Sequence, residues 1–169
     1  MILRLVELGI EGTPAVNMQR FARTAVIPPL PDAVILPELF TTGYVLDSIS
    51  SLAISEEELK DNPLAAVSKE NAIWIIGGTL PVKTEYGVVN RMVVYSPEGS
   101  LVYQTEKVHL FRQMGEDRAF VPGRCGGTFP FMQTIAAGIV CYDLRFPELS
   151  RRLALNGAEI LFVPAQWPC

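Results

Sequence analysis

The sequence predicts an α/β protein in which helices pack in layers against a β-sheet. Hydrophobic residues make up 49% of the 169 residues and charged residues 19%, a balance typical of globular chains and not of disordered ones. Short apolar runs, such as residues 33–36 and 160–163, have the length and composition of buried strands. Segments with helix signals lie between such runs, and this alternation is typical of layered α/β folds. No repeat or linker interrupts the chain, so we expect one domain over residues 1–169.

The chain is predicted to begin with a strand, a helix and a second strand. Residues 1–8 alternate in polarity, which indicates a strand. Thr13 followed by Pro14 is typical of a helix start, so we expect a helix from there to about Thr24, ended by a group of three prolines. Residues 33–36 form a short apolar run of the kind that lies deep in a sheet.

A second helix and a third strand are expected next. Ser55 with Glu58 three residues later forms a capping box, which predicts a helical stretch toward Asn71. Residues 72–76 then predict a buried strand that ends at a pair of glycines.

The second half of the chain is predicted to contain a hairpin, a long loop and a strand–helix–strand unit. Residues 88–95 and 101–104 read as the two arms of the hairpin, joined by a Pro-Glu-Gly turn. Residues 106–127 predict a polar loop, and loops of this length inside a domain are usually functional or disordered. The last predicted elements are a strand at 135–141, a helix at 147–156 and a strand at 160–163.

Charge and composition exclude several classes of function. The formal net charge is −4, the sequence pI is about 5.0 and no run of Lys or Arg exists, so the chain offers no basic patch to nucleic acid or an anionic membrane. Its apolar stretches are too short to span a bilayer. One histidine, His109, cannot build a His-rich metal site, and a Ser-His-Asp triad would have to use it. We expect no metal and no cofactor.

The cysteines indicate a reducing compartment. Cys125, Cys141 and Cys169 contain no C-x-x-C pair, which argues against zinc-finger and thioredoxin-type sites. An odd number at wide spacing favours one working thiol in a reducing environment. Charge at Arg4 and Glu7 precedes any long apolar region, so we expect no signal peptide and a cytoplasmic protein.

Two ionisable side chains follow predicted strands. Glu38 comes directly after the apolar run 33–36, where partial removal from water suits a carboxylate to general-base work; alternatively, it bonds to nearby backbone amides. Lys107 lies just past the hairpin. It would favour a nearby thiolate and stabilise developing negative charge, or it is a solvated lysine at a strand end.

Cys141 is the candidate nucleophile. It ends the predicted strand 135–141 and precedes a helix, and a side chain on such a strand-to-helix turn projects outward beside backbone N–H groups, as in the nucleophile elbow of other hydrolases. Asp143 and Arg145 close by favour function. The alternative is a buried structural cysteine, which is common for this residue type.

Three motifs in order resemble the nitrilase (carbon–nitrogen hydrolase) superfamily. They are LPELFTTGY, EKVHLF and VCYDLRFPELSR, with 69 residues from Glu38 to Lys107 and 34 from Lys107 to Cys141. The run from His109 to Glu116 is most similar to the omega-amidase branch, which removes the terminal amide of α-keto acid amides. The resemblance implies a four-layer α-β-β-α sandwich, of which this chain would supply a part.

The resemblance also implies roles for the matching residues. Cys141 would attack the amide carbon and form a thioester, and Glu38 would serve as the general base. Lys107 and the backbone N–H of Tyr142 would stabilise the oxyanion, and Glu116 matches a supporting second glutamate. The same residues could also serve nitrile or N-carbamoyl hydrolysis.

Further side chains are candidates for contact with a small amide substrate. Phe40, Tyr44 and Trp167 could line the pocket, although aromatic residues near a sheet end are more often core. Arg145 could meet a substrate carboxylate, or pair with Asp143 or Glu148. His109 is a hydrogen-bond partner near Lys107 or, as we favour, a structural residue. Cys125 and Cys169 are given no catalytic role.

The extent of the chain raises a further expectation. Catalytic domains of the superfamily are longer, so the resemblance implies a domain that lacks its C-terminal portion, as from an incomplete reading frame. The family tends to form dimers and larger assemblies, and we expect self-association. A non-catalytic fragment that needs a partner chain is the alternative, and a redox thiol protein is disfavoured because no resolving cysteine lies close in sequence.

Overall fold

The computed structural model describes residues 1–7 and 9–167, which form two β-sheets and four α-helices. The strands are β1 (Leu3–Leu5), β2 (Ala33–Ile35), β3 (Trp74–Thr84), β4 (Gly87–Tyr95), β5 (Leu101–Glu106), β6 (Thr128–Phe131), β7 (Thr134–Gly138) and β8 (Ile160–Phe162). The helices are α1 (Pro14–Ala25), α2 (Ile49–Leu52), α3 (Pro63–Asn71) and α4 (Pro147–Leu155).

The strands pair into one five-stranded and one three-stranded sheet. In the larger sheet the order is β1-β2-β3-β4-β5, with the first three strands parallel and the last three antiparallel. In the smaller sheet β7 lies between β6, antiparallel to it, and β8, parallel to it. The parallel pairs require crossover connections, and these are supplied by α1, α3 and α4.

Apolar contacts stack these elements in four layers, as the predicted α-β-β-α sandwich requires. Phe21 of α1 and Leu64 of α3 pack on one face of the larger sheet. Residues such as Met92 and Phe131 fill the space between the two sheets. On the far side, Leu153 of α4 packs against the outer face of the smaller sheet. None of the helices in the described residues is long and apolar enough to cross a membrane.

Two helices differ in how well the sequence predicts them. Thr13 caps α1 by accepting a hydrogen bond from the Val16 N–H, and the helix occupies the predicted residues. The predicted helix from Ser55 toward Asn71 is wrong as one element. Its capping box forms, but only a short 3₁₀ helix follows, because Pro63 disfavours helical backbone at the residue before it. Asn62 instead caps a new helix, α3.

The strand boundaries also need correction. The first strand is shorter than residues 1–8, and residue 8 lies outside the described residues. The strand predicted to close at Gly77-Gly78 runs on to Thr84, through a shift in register between Ile76 and Thr79. Strand β6 was not predicted, and the strand expected at 135–141 ends at Gly138. The predicted hairpin is confirmed as β4 and β5.

Candidate active site

Glu38 lies where the chain leaves the carboxyl end of β2, and it is fully buried. The chain turns sharply there, because Leu39 has a left-handed φ of 46° and its N–H donates to Thr79 Oγ1 at 2.8 Å. On the neighbouring strand, Gly78 has a φ of 55° at the shift in register. A Cβ on Gly78 would overlap the carbonyl oxygen of Pro37. Glycine therefore lets the turn that carries Glu38 pack closely against β3.

Lys107 follows β5 directly, and the register of the hairpin fixes its position. Arg91 on β4 pairs with Glu106 on β5. The next pair along places Asn90 opposite Lys107, whose backbone N–H donates to the Asn90 carbonyl at 2.9 Å. Because successive side chains of a strand point to opposite faces, Arg91 and Glu106 face one way and Asn90 and Lys107 the other.

Glu116 comes from the long polar loop after β5. Two short 3₁₀ helices, Arg112–Met114 and Glu116–Arg118, are joined by Gly115, whose φ of 76° favours glycine. This turn directs Glu116 into the protein, where it is fully buried. Its Oε2 accepts a hydrogen bond from the Phe111 N–H at 2.7 Å, which ties the loop back on itself.

The three charged side chains meet at the Lys107 ammonium. Its Nζ lies 2.9 Å from Glu38 Oε1, 2.9 and 2.8 Å from the two oxygens of Glu116, and 3.2 Å from the Tyr44 hydroxyl. Burial alone would lower the pKa of Lys107, but the charges of Glu38 and Glu116 outweigh it and raise that pKa. Burial and the same two carboxylates raise the pKa of Tyr44. The cluster therefore holds one cation and two anions away from water.

Asn90 adds uncharged donors to this cluster. Its Nδ2 lies 2.9 Å from Glu38 Oε1 and 3.3 Å from Glu116 Oε1. The orientation of the amide follows from chemistry, because the opposite one would set its carbonyl oxygen against two carboxylate oxygens. Asn90 Oδ1 is buried and has no hydrogen-bond partner among the described residues.

Cys141 lies three residues beyond the end of β7 and opens a 3₁₀ helix, Cys141–Arg145. Its φ of 46° is left-handed, a strained backbone that often marks functional sites. Burial, and next the charge of Glu38, raise the pKa of the thiol to about 12, while Lys107 opposes this only weakly. Lys107 thus favours the thiolate, as expected, but burial and the charge of Glu38 outweigh it, so the pKa of the Cys141 thiol stays above its ordinary value.

The segment after β8 closes the site from a third side. The Gln166 N–H donates to Glu38 Oε2 at 3.1 Å, and its carbonyl oxygen lies 4.0 Å from Cys141 Sγ. The Cys141 N–H donates to the Pro164 carbonyl at 2.9 Å. The backbone of this segment therefore connects the carboxylate to the thiol.

Asp143 anchors the turn that carries Cys141. Its fully buried carboxylate accepts hydrogen bonds from the backbone N–H groups of Val140 (3.1 Å), His109 (2.8 Å) and Val108 (3.4 Å). It also lies 2.8 Å from His109 Nδ1, and that ring stacks on Phe146 at 3.6 Å. These bonds join the segment after Lys107 to the turn before Cys141.

The aromatic candidates separate into two groups. Phe40 lies in the core between the helices and the larger sheet, where its ring meets Phe21 edge to face at 5.0 Å. Phe40 is therefore a core residue, and the prediction that it lines a pocket is not supported. Tyr44 meets Lys107. Tyr142 packs against Phe111 and lines a surface cavity of about 650 Å³, to which none of Glu38, Lys107 and Cys141 contributes.

Arg145 and Trp167 are both exposed and contact each other. The guanidinium of Arg145 lies 5.5 Å from the centre of the indole ring, within the range of a cation–π contact. Asp143 is occupied by the backbone and His109, so the predicted alternative of an Arg145–Asp143 pair is not formed. Among the described residues Arg145 forms no ion pair with Glu148 either, and its side chain is exposed to solvent.

Cysteine and metal candidates add no second site. Cys125 is half-buried and its Sγ lies 3.2 Å from the Gly126 carbonyl, whereas Cys169 lies outside the described residues. Within residues 1–7 and 9–167, no group of three or more His, Cys, Asp or Glu side chains could hold a metal ion.

The sequence alone assigns no contact within the site to Asn90, Asp143 or Gln166, although Asp143 stands out by its position beside Cys141. The register of the predicted hairpin was a usable signal for Asn90, because it sets residue 90 opposite Lys107. The contact between residues 38 and 166 does not follow from any local pattern, since it depends on how the two sheets stack.

Comparison with known proteins gives a consistent result. The sequence profile of the family described as carbon-nitrogen hydrolase matches residues 32–168. A 2-oxoglutaramate amidase of Bacillus subtilis is 34% identical over 137 residues, which are 81% of this chain and 53% of that protein. The omega-amidase YafV of Escherichia coli is 32% identical over 81% of this chain and 51% of its own length. The chain therefore spans about half the length of these curated relatives.

A solved structure extends the likeness to the fold. Nit3 of Saccharomyces cerevisiae, described as a member of branch 10 of the nitrilase superfamily, superposes with a TM-score of 0.86 and 27% identity. The match covers 98% of this chain and 64% of that one.

Proposed function

Because this chain belongs to the carbon-nitrogen hydrolase family, we propose that the protein hydrolyses the C–N bond of a small linear amide through a cysteine thioester. One observation carries the proposal: Glu38, Lys107 and Cys141 come from three separate segments and meet in one buried cluster. A carboxylate base beside a thiol and a fixed cation is the equipment that acyl transfer requires.

Each residue of the cluster has a role in the proposed reaction. Cys141 Sγ attacks the amide carbon as Glu38 takes the thiol proton, and a sulfur–carbon bond forms. Lys107 and the Tyr142 N–H stabilise the negative charge on the former carbonyl oxygen. Glu38 then gives the proton to the nitrogen, the C–N bond breaks and ammonia leaves. Glu38 next deprotonates water, whose oxygen bonds to the thioester carbon; the carbon–sulfur bond then breaks, Glu38 returns the proton to the Cys141 sulfur and the acid product leaves.

The neutral thiol supports this order of events. A pKa near 12 means that Cys141 keeps its proton at neutral pH, so a base must remove it as attack begins. Glu38 is the carboxylate whose charge acts on the thiol, which fits it for that task. Glu116, held by Lys107 and the Phe111 N–H, supports the position of Lys107.

For the substrate, we propose the ω-amide of a short α-keto acid. The names of the two curated relatives supply the chemical class. In this chain, exposed Arg145 supported by Trp167 provides a cation for the substrate carboxylate, and Tyr44 and Tyr142 provide aromatic surface beside the cluster. Nitriles and N-carbamoyl amines are the competing substrates.

The proposal extends to the domain organisation, the compartment and the self-association of the protein. We infer a single carbon–nitrogen hydrolase domain in a reducing compartment such as the cytoplasm, supported by the free thiols of Cys125 and Cys141. Self-association is part of the proposal, as in the family at large.

Ammonia release from a short α-keto acid ω-amide tests the function. We expect Cys141→Ala to abolish release, while Cys125→Ala leaves it within about twofold, because only Cys141 lies in the cluster. A nitrile and an N-carbamoyl amine of equal length, assayed in parallel, decide the substrate class. Equal loss from both variants, or from neither, contradicts the proposal.

A further inference from the structure

The Lys107 cluster contains an imbalance of charge. Two carboxylates and one ammonium are enclosed with side-chain exposures of 0%, and unpaired buried charge is costly. Lys107 has three N–H donors, and these already serve Glu38, Glu116 and the Tyr44 hydroxyl. Lys107 by itself therefore leaves the two carboxylates short of donors.

Asn90 supplies the missing donors without adding charge. Its amide lies within hydrogen-bond distance of Glu38 Oε1 and Glu116 Oε1, the same two atoms that Lys107 contacts. The four groups form a ring in which each donor serves both acceptors. Both carboxylates are thereby held side by side.

We infer that Asn90 is a positioning residue, which aims the Glu38 carboxylate at the Cys141 thiol by holding Glu38 and Glu116 together on Lys107. This inference rests on the proposed function. The sheet register makes the arrangement rigid, because the Asn90 carbonyl accepts the Lys107 backbone N–H at 2.9 Å while the Asn90 side chain bonds to the partners of the lysine.

A neutral donor suits this place better than a second cation would. Another Lys or Arg would balance the charge, but it would also stabilise the anion of Glu38 and make that carboxylate a weaker base. An amide orients the carboxylate and leaves one excess negative charge facing the thiol. Asparagine at position 90 thus orients the Glu38 carboxylate without changing the net charge of the cluster.

Two variants of Asn90 test the inference. Asn90→Leu removes both donors without adding charge, and we expect kcat for ammonia release to fall by about ten- to a hundredfold with KM changed less than about twofold. Asn90→Asp keeps the size but adds a third carboxylate. We expect it to slow alkylation of Cys141 and to move the midpoint of its pH profile upward, measured with Cys125 and Cys169 changed to serine.

Asn62→Ala is the matched control, because Asn62 is also a buried asparagine but caps α3 away from the cluster. It is expected to lower thermal stability and leave kcat and the alkylation profile unchanged. If both Asn90 variants fold and behave like this control, the inference is overturned.

The two readouts separate the inference from the proposed function. If the unaltered protein releases no ammonia from any amide but Asn90→Asp still shifts the alkylation profile, the proposed function fails and the inference stands in its structural part. If the protein is active and neither Asn90 variant changes kcat or the profile, the function stands and the inference fails.

Discussion

Two clusters of ions lie back to back on the hairpin of β4 and β5, and each consists of two glutamates around one cation. On one face, Lys107 binds Glu38 and Glu116, and all three side chains are 0% exposed. On the other, Arg91 contacts Glu106 and Glu56, whose exposures are 19% and 57%. Each of the two clusters thus contains one positive and two negative groups.

Burial and the type of cation make the two clusters different. Burial first, and then the carboxylate charges of the enclosed cluster, raise the pKa of Cys141 and of Tyr44, and these charges act strongly where water is excluded. Arg91 is itself largely buried and holds its partners with a planar fork of donors, but solvent reaches the two carboxylates and screens their charges, most of all at Glu56. Two glutamates around one cation thus serve the proposed reaction where all three side chains are enclosed, and form a structural tie where the carboxylates reach solvent.

Loss of the cation gives the largest expected contrast. Lys107→Met leaves two buried carboxylates with no counter-charge, so we expect ammonia release to be lost and the free energy of unfolding to fall by about 3–5 kcal/mol. Arg91→Met should cost about 1 kcal/mol and keep most of the activity. Chemical denaturation and an ammonia assay measure both, and equal losses would remove the distinction between the clusters.

Loss of the Glu38 carboxylate should have opposite effects on ammonia release and on alkylation of Cys141. We expect Glu38→Gln to lower kcat by about 10²–10⁴-fold and yet to speed alkylation of Cys141, because removal of the Glu38 charge lowers the pKa of the thiol. The control is Glu106→Gln, on the opposite face, which should leave kcat within about twofold. Slower alkylation in Glu38→Gln would show that Glu38 does not act on the thiol as described.

The anchor beneath the enclosed cluster should have a smaller effect. Asp143→Asn replaces an oxygen that accepts backbone N–H groups by a donor, so we expect the free energy of unfolding to fall by about 1–3 kcal/mol. Amide exchange at Val140 and His109 should become faster. In Asp117→Asn, where the carboxylate is 3.9 Å from Arg112 and exposed, we expect almost no change, and similar exchange in both variants would argue against the anchoring role.

Alkaline pH should lower the free energy of unfolding, because the buried Cys141 thiol then loses its proton more readily in the unfolded chain. The thiol of Cys141 has an ordinary pKa of 9.0 and a folded pKa of about 12, so the folded state keeps a proton that the unfolded chain loses. The contribution of the protonated thiol to the free energy of unfolding is therefore complete below about pH 9. It is lost as the pH rises toward 12, by about 1 kcal/mol per pH unit. Denaturation from pH 8 to 11 should show this slope, reduced in Cys141→Ser and retained in Cys125→Ser.

The sequence was most informative where local signals agree with the fold. Thr13 and Pro14 marked the start of α1, and the hairpin was evident from its arms and turn. Glu38, Lys107 and Cys141 could be proposed as a site because all three follow strands in recognisable motifs. Belonging to a family then supplied roles that spacing alone does not define.

Other features depend on contacts that no local pattern reports. The two glycines in β3 look like a strand end, but close packing against Pro37 turns them into a bulge within a longer strand. Phe40 lies only two residues after Glu38 but in a different environment, because the sharp turn at Leu39 sends the two side chains in different directions. The bond from Gln166 to Glu38 spans 128 residues and depends on the stacking of two sheets.

The left-handed backbone at Cys141 creates a conflict between stability and the proposed chemistry at one residue. A side chain at this φ costs an L-residue about 1–2 kcal/mol, whereas glycine adopts it almost freely. The residue best for stability there has no nucleophile. If selection for the proposed activity were lost, mutation of this residue to glycine would raise the stability of the protein and remove the nucleophile. Under the proposed function, the thiol is what the strained backbone at residue 141 gives in return for this loss of stability.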